Sequence, residues 1–197
     1  MIQRIPLNKF ARVLKGTTPA PQVSSAEGLP FVGQSEVSSG GTSPLRRVPV
    51  LLDEDSPEAI YLQLGDLVIS SLDAKRRVLL VREEASGAVL GRECLAIRLE
   101  SNWQPVVPAF LMAWMKTDDF FRQADALTTG TTMPRLTQRS LEAVQVPLLT
   151  PKRQERVTGI ARKFDAATSA LRLNLAQIEE LEGIELELAF LEDADED

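Results

Sequence analysis

Short apolar runs separated by turn-forming residues characterise the first half of the chain. The runs at residues 29–32, 67–69 and 78–81 have the length of single strands, and residues 93–99 alternate weakly between apolar and polar positions. Runs of this length, bounded by Gly, Pro, Ser and Asp, are typical of buried or half-buried strands. The pattern predicts a β-rich body in which the basic residues 75–77 form the tip of a hairpin.

The segments around these runs predict less regular structure. Residues 2–10 are expected to form a first strand or turn, and residues 15–19 a loop in which basic and hydroxyl side chains meet. Residues 20–49 are rich in Ser, Gly and Pro, which favours a loop-heavy section around the strand at 29–32.

Residues 107–121 show a different periodicity. Phe110, Trp114 and other apolar residues recur there at roughly helical spacing, which predicts one helix packed on the sheet. Residues 144–146 then predict a short strand that ends at Pro147.

The C-terminal part carries the longest periodic pattern. From Lys152 onward, apolar residues recur in steps of three and four, which predicts a helix of about 40 residues and about 60 Å. Such a helix needs a partner for its apolar stripe: a second copy, another protein's helix, or the chain's own body. Asn174 lies within this seam, where a polar residue can fix the register and strand number of a coiled coil. The seam positions include Val157, Ile160, Phe164, Leu171, Asn174, Ile178 and Leu181.

These elements together predict an α+β chain in three parts. Residues 1–150 are expected to form a mixed, β-rich domain, and residues 151–191 one long C-terminal coiled-coil helix. Residues 192–197 form an acidic tail.

Charge is distributed unevenly along the chain. The 197 residues include 22 Lys and Arg against 28 Asp and Glu, and the formal net charge of −6 has the wrong sign for a phosphate-binding protein. All basic residues lie at or before Arg172, however, and ten of the acids lie in the last 19 positions. Residues 1–178 therefore have 22 basic and 18 acidic residues, a formal charge of +4. A mildly basic body is compatible with nucleic-acid binding, whereas a block of acids usually marks a solvated end.

The residue types present exclude several classes of function. The chain has one cysteine, Cys94, and no histidine, so a disulfide framework, Ser/His or Cys/His catalysis and zinc chemistry are not expected. No apolar run reaches about 18 residues, and residues 1–16 lack the apolar core of a signal peptide. The composition predicts a cytoplasmic protein with no membrane contact and no cofactor.

Six segments, taken in order, resemble parts of a known family. They are KGTTP at 15–19, GLPFVGQSEV at 28–37, LQLGDLVIS at 62–70, FLMAWMKTDDFF at 110–121, TTGTTMPRLTQRSL at 128–141 and VPLLTPKRQERV at 146–157. In order and spacing they are similar to a target-recognition domain of the type I restriction-modification specificity subunit. The last segment departs from the family pattern, which usually has an EQ pair, because Arg153 precedes Gln154 here.

The resemblance implies a non-catalytic subunit that reads DNA sequence. Adenine methylation and cleavage would be supplied by separate methyltransferase and motor-nuclease subunits of a defence system. Specificity subunits of the family typically carry two such domains, each followed by a long helix, whereas this sequence has one of each. A homodimer through the helix that begins at Lys152 would then place two identical readers on a palindromic, bipartite site of double-stranded DNA.

Basic, hydroxyl and amide side chains in the predicted loops are the candidate DNA contacts. Basic residues bind phosphates and Arg favours guanine edges, while Thr and Gln supply further hydrogen bonds. The alternative interpretation of each residue, without a functional role, is a solvated surface group or a turn-forming residue. The candidates are Lys15, Thr17, Thr18, Arg46, Arg47, Lys75, Arg76, Arg77, Thr129, Thr131, Thr132, Arg135 and Gln138.

Two other classes of function are compatible with parts of the sequence. The acidic end favours a coiled-coil interaction module or a DNA-mimicking inhibitor, which would present carboxylates to a basic partner. An enzyme that uses Asp66 and Asp73 alone is the second class, although no paired carboxylates are visible. The acidic turn within residues 53–58 lacks the glycine and terminal glutamate of a calcium loop.

Overall fold

The computed structural model describes two compact units of the chain. They are Met1–Glu155, which contains all the described strands, and Arg156–Asp197, which contains most of one long helix. The described residues are 2–18, 28–39, 45–48, 59–72, 77–100, 105–128 and 135–192, with side chains through residue 187.

Nine strands and five α-helices lie within the described residues. The strands are β1 (Arg4–Pro6), β2 (Ala11–Lys15), β3 (Leu29–Val32), β4 (Arg46–Val48), β5 (Leu67–Ser70), β6 (Val78–Leu80), β7 (Val89–Leu90), β8 (Cys94–Leu99) and β9 (Gln145–Pro147). The helices are α1 (Gln34–Ser38), α2 (Pro108–Trp114), α3 (Asp118–Ala126), α4 (Gln138–Ala143) and α5 (Pro151–Glu192).

A four-stranded antiparallel sheet in the order β2-β8-β5-β6 forms the centre of the first unit. All four residues of β5 are buried, which accounts for the uninterrupted apolar run in its sequence. Val68 of β5, Leu79 of β6 and Ala96 of β8 belong to one apolar core. This core packs against the sheet, and the strand pairing has one defined register.

Two smaller sheets flank this centre. β3 pairs antiparallel with β4 and parallel with β7, so that Phe31 lies opposite Val89. β1 pairs antiparallel with β9, with Ile5 opposite Val146, which joins the beginning of the first unit to its end.

The strands predicted at residues 29–32, 67–69 and 78–81 are confirmed to within one residue, and β5 and β6 pair antiparallel. Residues 75 and 76 of the predicted hairpin tip lie outside the described residues. Lys15 was predicted to lie in a loop, but it is the last residue of β2. The strand extends that far because its pairing with β8 continues to Leu95.

The prediction of one helix over residues 107–121 is wrong. The segment contains α2 and α3, which are separated at Thr117, where the backbone is extended with φ −94° and ψ 156°. The Thr117 hydroxyl donates to the carbonyl oxygen of Trp114 at 2.7 Å and so satisfies an acceptor at the end of α2. The indole N–H of Trp114 donates to Asp119 of α3 at 3.0 Å. These contacts stabilise a break across which the apolar residues keep their helical spacing.

The predicted long C-terminal helix is confirmed. α5 has 42 residues and begins at Pro151, which is well accommodated in the first turn of a helix. At about 1.5 Å per residue such a helix is about 63 Å long. Across the described ranges, none of the helices offers a stretch long and apolar enough to cross a bilayer.

Candidate nucleic-acid interface

One end of the four-stranded sheet gathers segments that are far apart in the sequence. β2 and β5 end there and β6 and β8 begin there, because Lys15 pairs with Leu95, Ser70 with Cys94 and Ile69 with Val78. We call this edge, formed by residues 15–18, 70–72, 77–78 and 91–94, the loop end of the sheet.

Backbone hydrogen bonds connect the segments of the loop end to one another. The amide of Arg92 donates to the carbonyl oxygen of Thr18 at 2.7 Å, and the amide of Ser71 donates to that of Glu93 at 2.8 Å. The Ser71 hydroxyl reaches the same Glu93 oxygen at 2.9 Å. The amide of Leu136 donates to the carbonyl oxygen of Ser71 at 3.0 Å, which brings the segment before α4 to the loop end as well.

Two glycines allow the loop end to pack closely. A Cβ atom on Gly16 would lie 2.0 Å from the carbonyl oxygen of Gly91, and one on Gly91 would lie 2.7 Å from the ring of Phe31. The amide of Gly91 donates to the carbonyl oxygen of Val32 at 2.8 Å. The segment after β2, the turn before β8 and the end of β3 are therefore in backbone contact, and no larger residue fits between them.

An ion pair with a buried carboxylate lies beside the end of β3. The carboxylate of Glu36 in α1 is 3% exposed and accepts hydrogen bonds from Arg46 at 2.6 and 3.0 Å and from the amide of Gly33 at 2.8 Å. Burial raises the pKa of Glu36, but the hydrogen bonds from Arg46 and Gly33 outweigh it, so the pKa lies below its ordinary value. The Arg46 guanidinium also lies 5.6 Å from the centre of the Phe31 ring. Arg46 is thus held by internal contacts, which leaves its charge largely neutralised.

Two more of the candidate arginines near α1 have backbone partners. Arg77, the residue before β6, donates to the carbonyl oxygen of Ser38 at the end of α1. Arg47 donates to the carbonyl oxygen of Gly28 at 2.9 Å and is exposed. Arg77 is half-buried, and a carbonyl partner leaves the charge of each guanidinium group uncancelled.

The structure brings several of the candidate DNA contacts together at the loop end. Lys15 is exposed, Thr17 and Thr18 are half-buried, Arg77 lies at the start of β6, and Arg135 precedes Leu136. Gln138 lies in the first turn of α4, where it donates to Glu142 at 3.0 Å. Lys75, Arg76, Thr129, Thr131 and Thr132 lie outside the described residues.

Arg92 is a residue of the loop end that the sequence did not single out. It is exposed, and it follows Gly91 in the turn between β7 and β8. The turn itself is predictable from its glycines, but the pairing of Thr18 with Gly91 across 73 positions is a tertiary contact. No local sequence signal reports that contact.

Asp66, the carboxylate considered for catalysis, has a structural role. It is 1% exposed and accepts hydrogen bonds from Arg98 at 2.7 and 3.0 Å and from the amide of Gln63 at 2.9 Å. Asp73 and the acidic turn at residues 53–58 lie outside the described residues. Among the residues that are described, no three His, Cys, Asp or Glu side chains cluster closely enough to hold a metal ion.

The predicted seam of α5 is largely exposed in the single chain. Ile160 is 49% exposed, Phe164 71%, Leu171 69%, and Ile178 and Leu181 61% each, whereas Val157 is half-buried and Asn174 is exposed. The apolar side chains are not confined to the seam. Leu173, which is 68% exposed, lies about 200° around the helix from Leu171 at about 100° per residue.

The fold is similar to that of solved type I restriction-modification S subunits. A chain from a structure of type I R-M complex assembly and conformational transition matches with a TM-score of 0.59 and 18% identity, over 90% of this chain and 41% of that one. The HsdS subunit from Thermoanaerobacter tengcongensis matches with a TM-score of 0.54 and 17% identity, over 86% of this chain and 38% of that one. The S subunit from M. genitalium matches with a TM-score of 0.56 and 13% identity, over 84% of this chain and 39% of that one.

These matches confirm the fold that the resemblance implied, an α+β domain followed by a long helix. The chain spans about two fifths of the length of each of the three proteins. No protein-family model and no curated protein matches the chain by sequence.

Proposed function

We propose that the chain is the DNA-recognition subunit of a type I-like restriction-modification system. Its role is to bind a bipartite site in double-stranded DNA and to direct a methyltransferase subunit, and a motor-nuclease subunit where one exists, to that site. It carries no catalytic residues itself and acts in the cytoplasm. The fold that it shares with HsdS and other type I S subunits supports this role.

The observation that carries the proposal is the composition of the loop end. Lys15, Thr18, Arg77 and Arg135 come from four separate parts of the sequence and meet at one edge of a buried sheet. Residues that bind a duplex need a rigid scaffold behind them, because contacts to phosphates and base edges depend on their relative positions. The proposed DNA-binding domain comprises residues 1–150, in which 16 basic residues balance 16 acidic ones, so the support comes from where the basic residues lie and not from the net charge.

The proposal includes a homodimer formed through residues 151–191, with residues 192–197 as an acidic tail. Exposed apolar side chains along α5 support it, since a helix of this length is stabilised by burying such side chains against a partner. Two identical domains related by a two-fold axis read identical half-sites, so the target would be a split palindrome.

Selection of bound sequences from random duplexes tests DNA recognition. The purified chain, alone and with a candidate methyltransferase subunit, should enrich a split palindrome. Lys15→Glu at the loop end should reduce the yield strongly. Arg82→Glu should not, because Arg82 is exposed but lies after β6, at the opposite end of the sheet. Failure of the unaltered chain to enrich any sequence in either setting would contradict the proposal.

The mass of the chain in solution tests the dimer separately. Leu171→Lys places a charge in the predicted seam and should convert dimer to monomer. Leu173→Lys is a matched control of similar exposure on the other side of the helix and should leave the dimer intact. An unaltered chain that is monomeric at high concentration would refute self-association.

The acidic-mimic alternative predicts a different dependence on charge. Replacing Glu179, Glu180 and Glu182 by Gln removes three exposed charges from α5 without shortening it. A DNA reader should keep its selected sequence after this change, whereas a mimic should lose its basic partner.

A further inference from the structure

The backbone of Arg92 is held by hydrogen bonds, whereas its side chain has no partner among the described residues. Its amide donates to Thr18 at 2.7 Å, the preceding Gly91 donates to Val32 at 2.8 Å, and the following turn closes with the amide of Cys94 on the Gly91 carbonyl oxygen at 2.9 Å. The turn between β7 and β8 is therefore fastened to β3, to the segment after β2 and to its own strand. The Cα atom of Arg92, from which the guanidinium extends, therefore has a well-defined position.

The charge of Arg92 is available to a ligand. Its side chain is exposed, and it has no hydrogen-bond or ion-pair partner among the residues that the structure describes. Arg46 and Arg98 differ in this respect, since Arg46 is paired with Glu36 and Arg98 with Asp66. Arg92 thus presents a full positive charge at the loop end, close in the fold to Lys15 and Thr18.

The length of the turn indicates what Arg92 can touch. Only residues 91–93 separate β7 from β8, so the turn stays close to the sheet. Reading a base edge in the major groove requires an element that enters a groove about 8.5 Å deep. A short turn that is hydrogen-bonded to the neighbouring strands can instead contact the outer surface of a duplex, which is lined by phosphates.

We propose that Arg92 binds a backbone phosphate of the target DNA and sets the position of the domain on the duplex without reading sequence. This inference rests on the proposed function and adds a contact to it. The guanidinium donates two hydrogen bonds to phosphate oxygens, and the Thr18–Arg92 backbone bond holds the contact at a constant place.

The test is the salt dependence of duplex binding by three variants of the full chain. Arg92→Gln removes the charge, Arg92→Lys keeps it, and Arg82→Gln removes an exposed arginine from the opposite end of the sheet. Each is titrated with the selected duplex and with single-mismatch duplexes between about 50 and 200 mM salt, a range over which phosphate contacts dominate the salt effect. Thermal unfolding confirms that each variant is folded.

Arg92→Gln is expected to reduce the magnitude of the slope of log affinity against log salt by about 0.9 for each copy of the chain that is bound, which is about a tenfold loss of affinity per copy near 0.1 M salt. The loss should be equal on matched and mismatched duplexes. Arg92→Lys should retain most of the slope, and Arg82→Gln should behave like the unaltered chain.

Two results would overturn the inference alone: an Arg92→Gln variant that binds every duplex as before, or one that loses affinity only for the matched duplex, as a base contact would. An unaltered chain that binds no duplex would refute the proposed function and this contact with it.

Discussion

Gln154, in the first turn of α5, is expected to be a main determinant of the stability of the first unit. Its side chain is 4% exposed and makes three hydrogen bonds. The amide oxygen accepts from the backbone N–H of Val107 at 3.0 Å, and the amide nitrogen donates to the carbonyl oxygens of Pro105 and Leu149 at 2.8 and 2.9 Å. One side chain therefore ties the segment before α2 to the segment before α5.

Gln154→Ala removes all three hydrogen bonds at once. A hydrogen bond of this kind contributes about 0.5–1.5 kcal/mol net, so the expected loss of unfolding free energy is about 2–4 kcal/mol. Gln154→Glu should cost at least as much at neutral pH. Its carboxylate can still accept from Val107, but it would face two carbonyl oxygens that previously received hydrogen bonds.

Urea unfolding at neutral pH measures these losses as a lower midpoint at an unchanged slope. Arg153→Ala and Glu155→Ala are the controls, because both neighbours are exposed and should change stability by less than about 0.5 kcal/mol. A Gln154→Ala variant as stable as these controls would refute the reasoning. The departure from the family pattern at Arg153 is then tolerable because position 153 is exposed, whereas the matching Gln154 is buried.

Three further outcomes are expected. Burial raises the pKa of Cys94 to about 12, so the thiol of the folded chain should react with a thiol reagent at pH 8 far more slowly than that of the unfolded chain; equal rates would be incompatible with its burial. Burial raises the pKa of Glu36, but the hydrogen bonds from Arg46 and Gly33 lower it by a larger amount, so the pKa lies below the ordinary value of 4.5. The resulting stabilisation is present above that value and is lost as the pH falls through the folded-state pKa, so the unfolding midpoint should fall more steeply on acidification in the unaltered chain than in Glu36→Gln; parallel profiles would speak against the ion pair. Gly16→Ala should destabilise the chain by about 1–3 kcal/mol, because its Cβ would lie 2.0 Å from the Gly91 carbonyl oxygen, and unchanged thermal stability would show that this approach is looser than described.

The parts of the fold that could be predicted are those in which local pattern and tertiary burial agree. Residues 67–69 form an apolar run between turn formers, and β5 is buried along its whole length, so the run alone is informative. The 42-residue α5 is similarly evident because its period persists over many turns. The break at Thr117 was missed because the apolar spacing continues through it. Contacts such as that between Trp114 and Asp119 stabilise the break and are absent from a one-dimensional pattern.

The candidate site was predictable in composition but not in geometry. Basic and hydroxyl residues mark the segment after β2 and the connection between β5 and β6 in the sequence, and the ends of these strands lie at the loop end. The sequence could not show that Arg46 is neutralised by Glu36, because that pair depends on how β3, α1 and β4 fold together. Nor could it show Arg92, which becomes part of the site through its hydrogen bond to Thr18.

The central claim is that the loop end of the sheet is the surface that meets DNA. Hydrogen–deuterium exchange of the full chain, measured with and without its selected duplex, tests this claim most directly. Peptides that cover residues 15–18, 71–72 and 91–93 should exchange more slowly in the presence of the duplex, while β1 and β9 should be unaffected. Protection confined to β1, β9 or the acidic end of α5, with none at the loop end, would contradict the account.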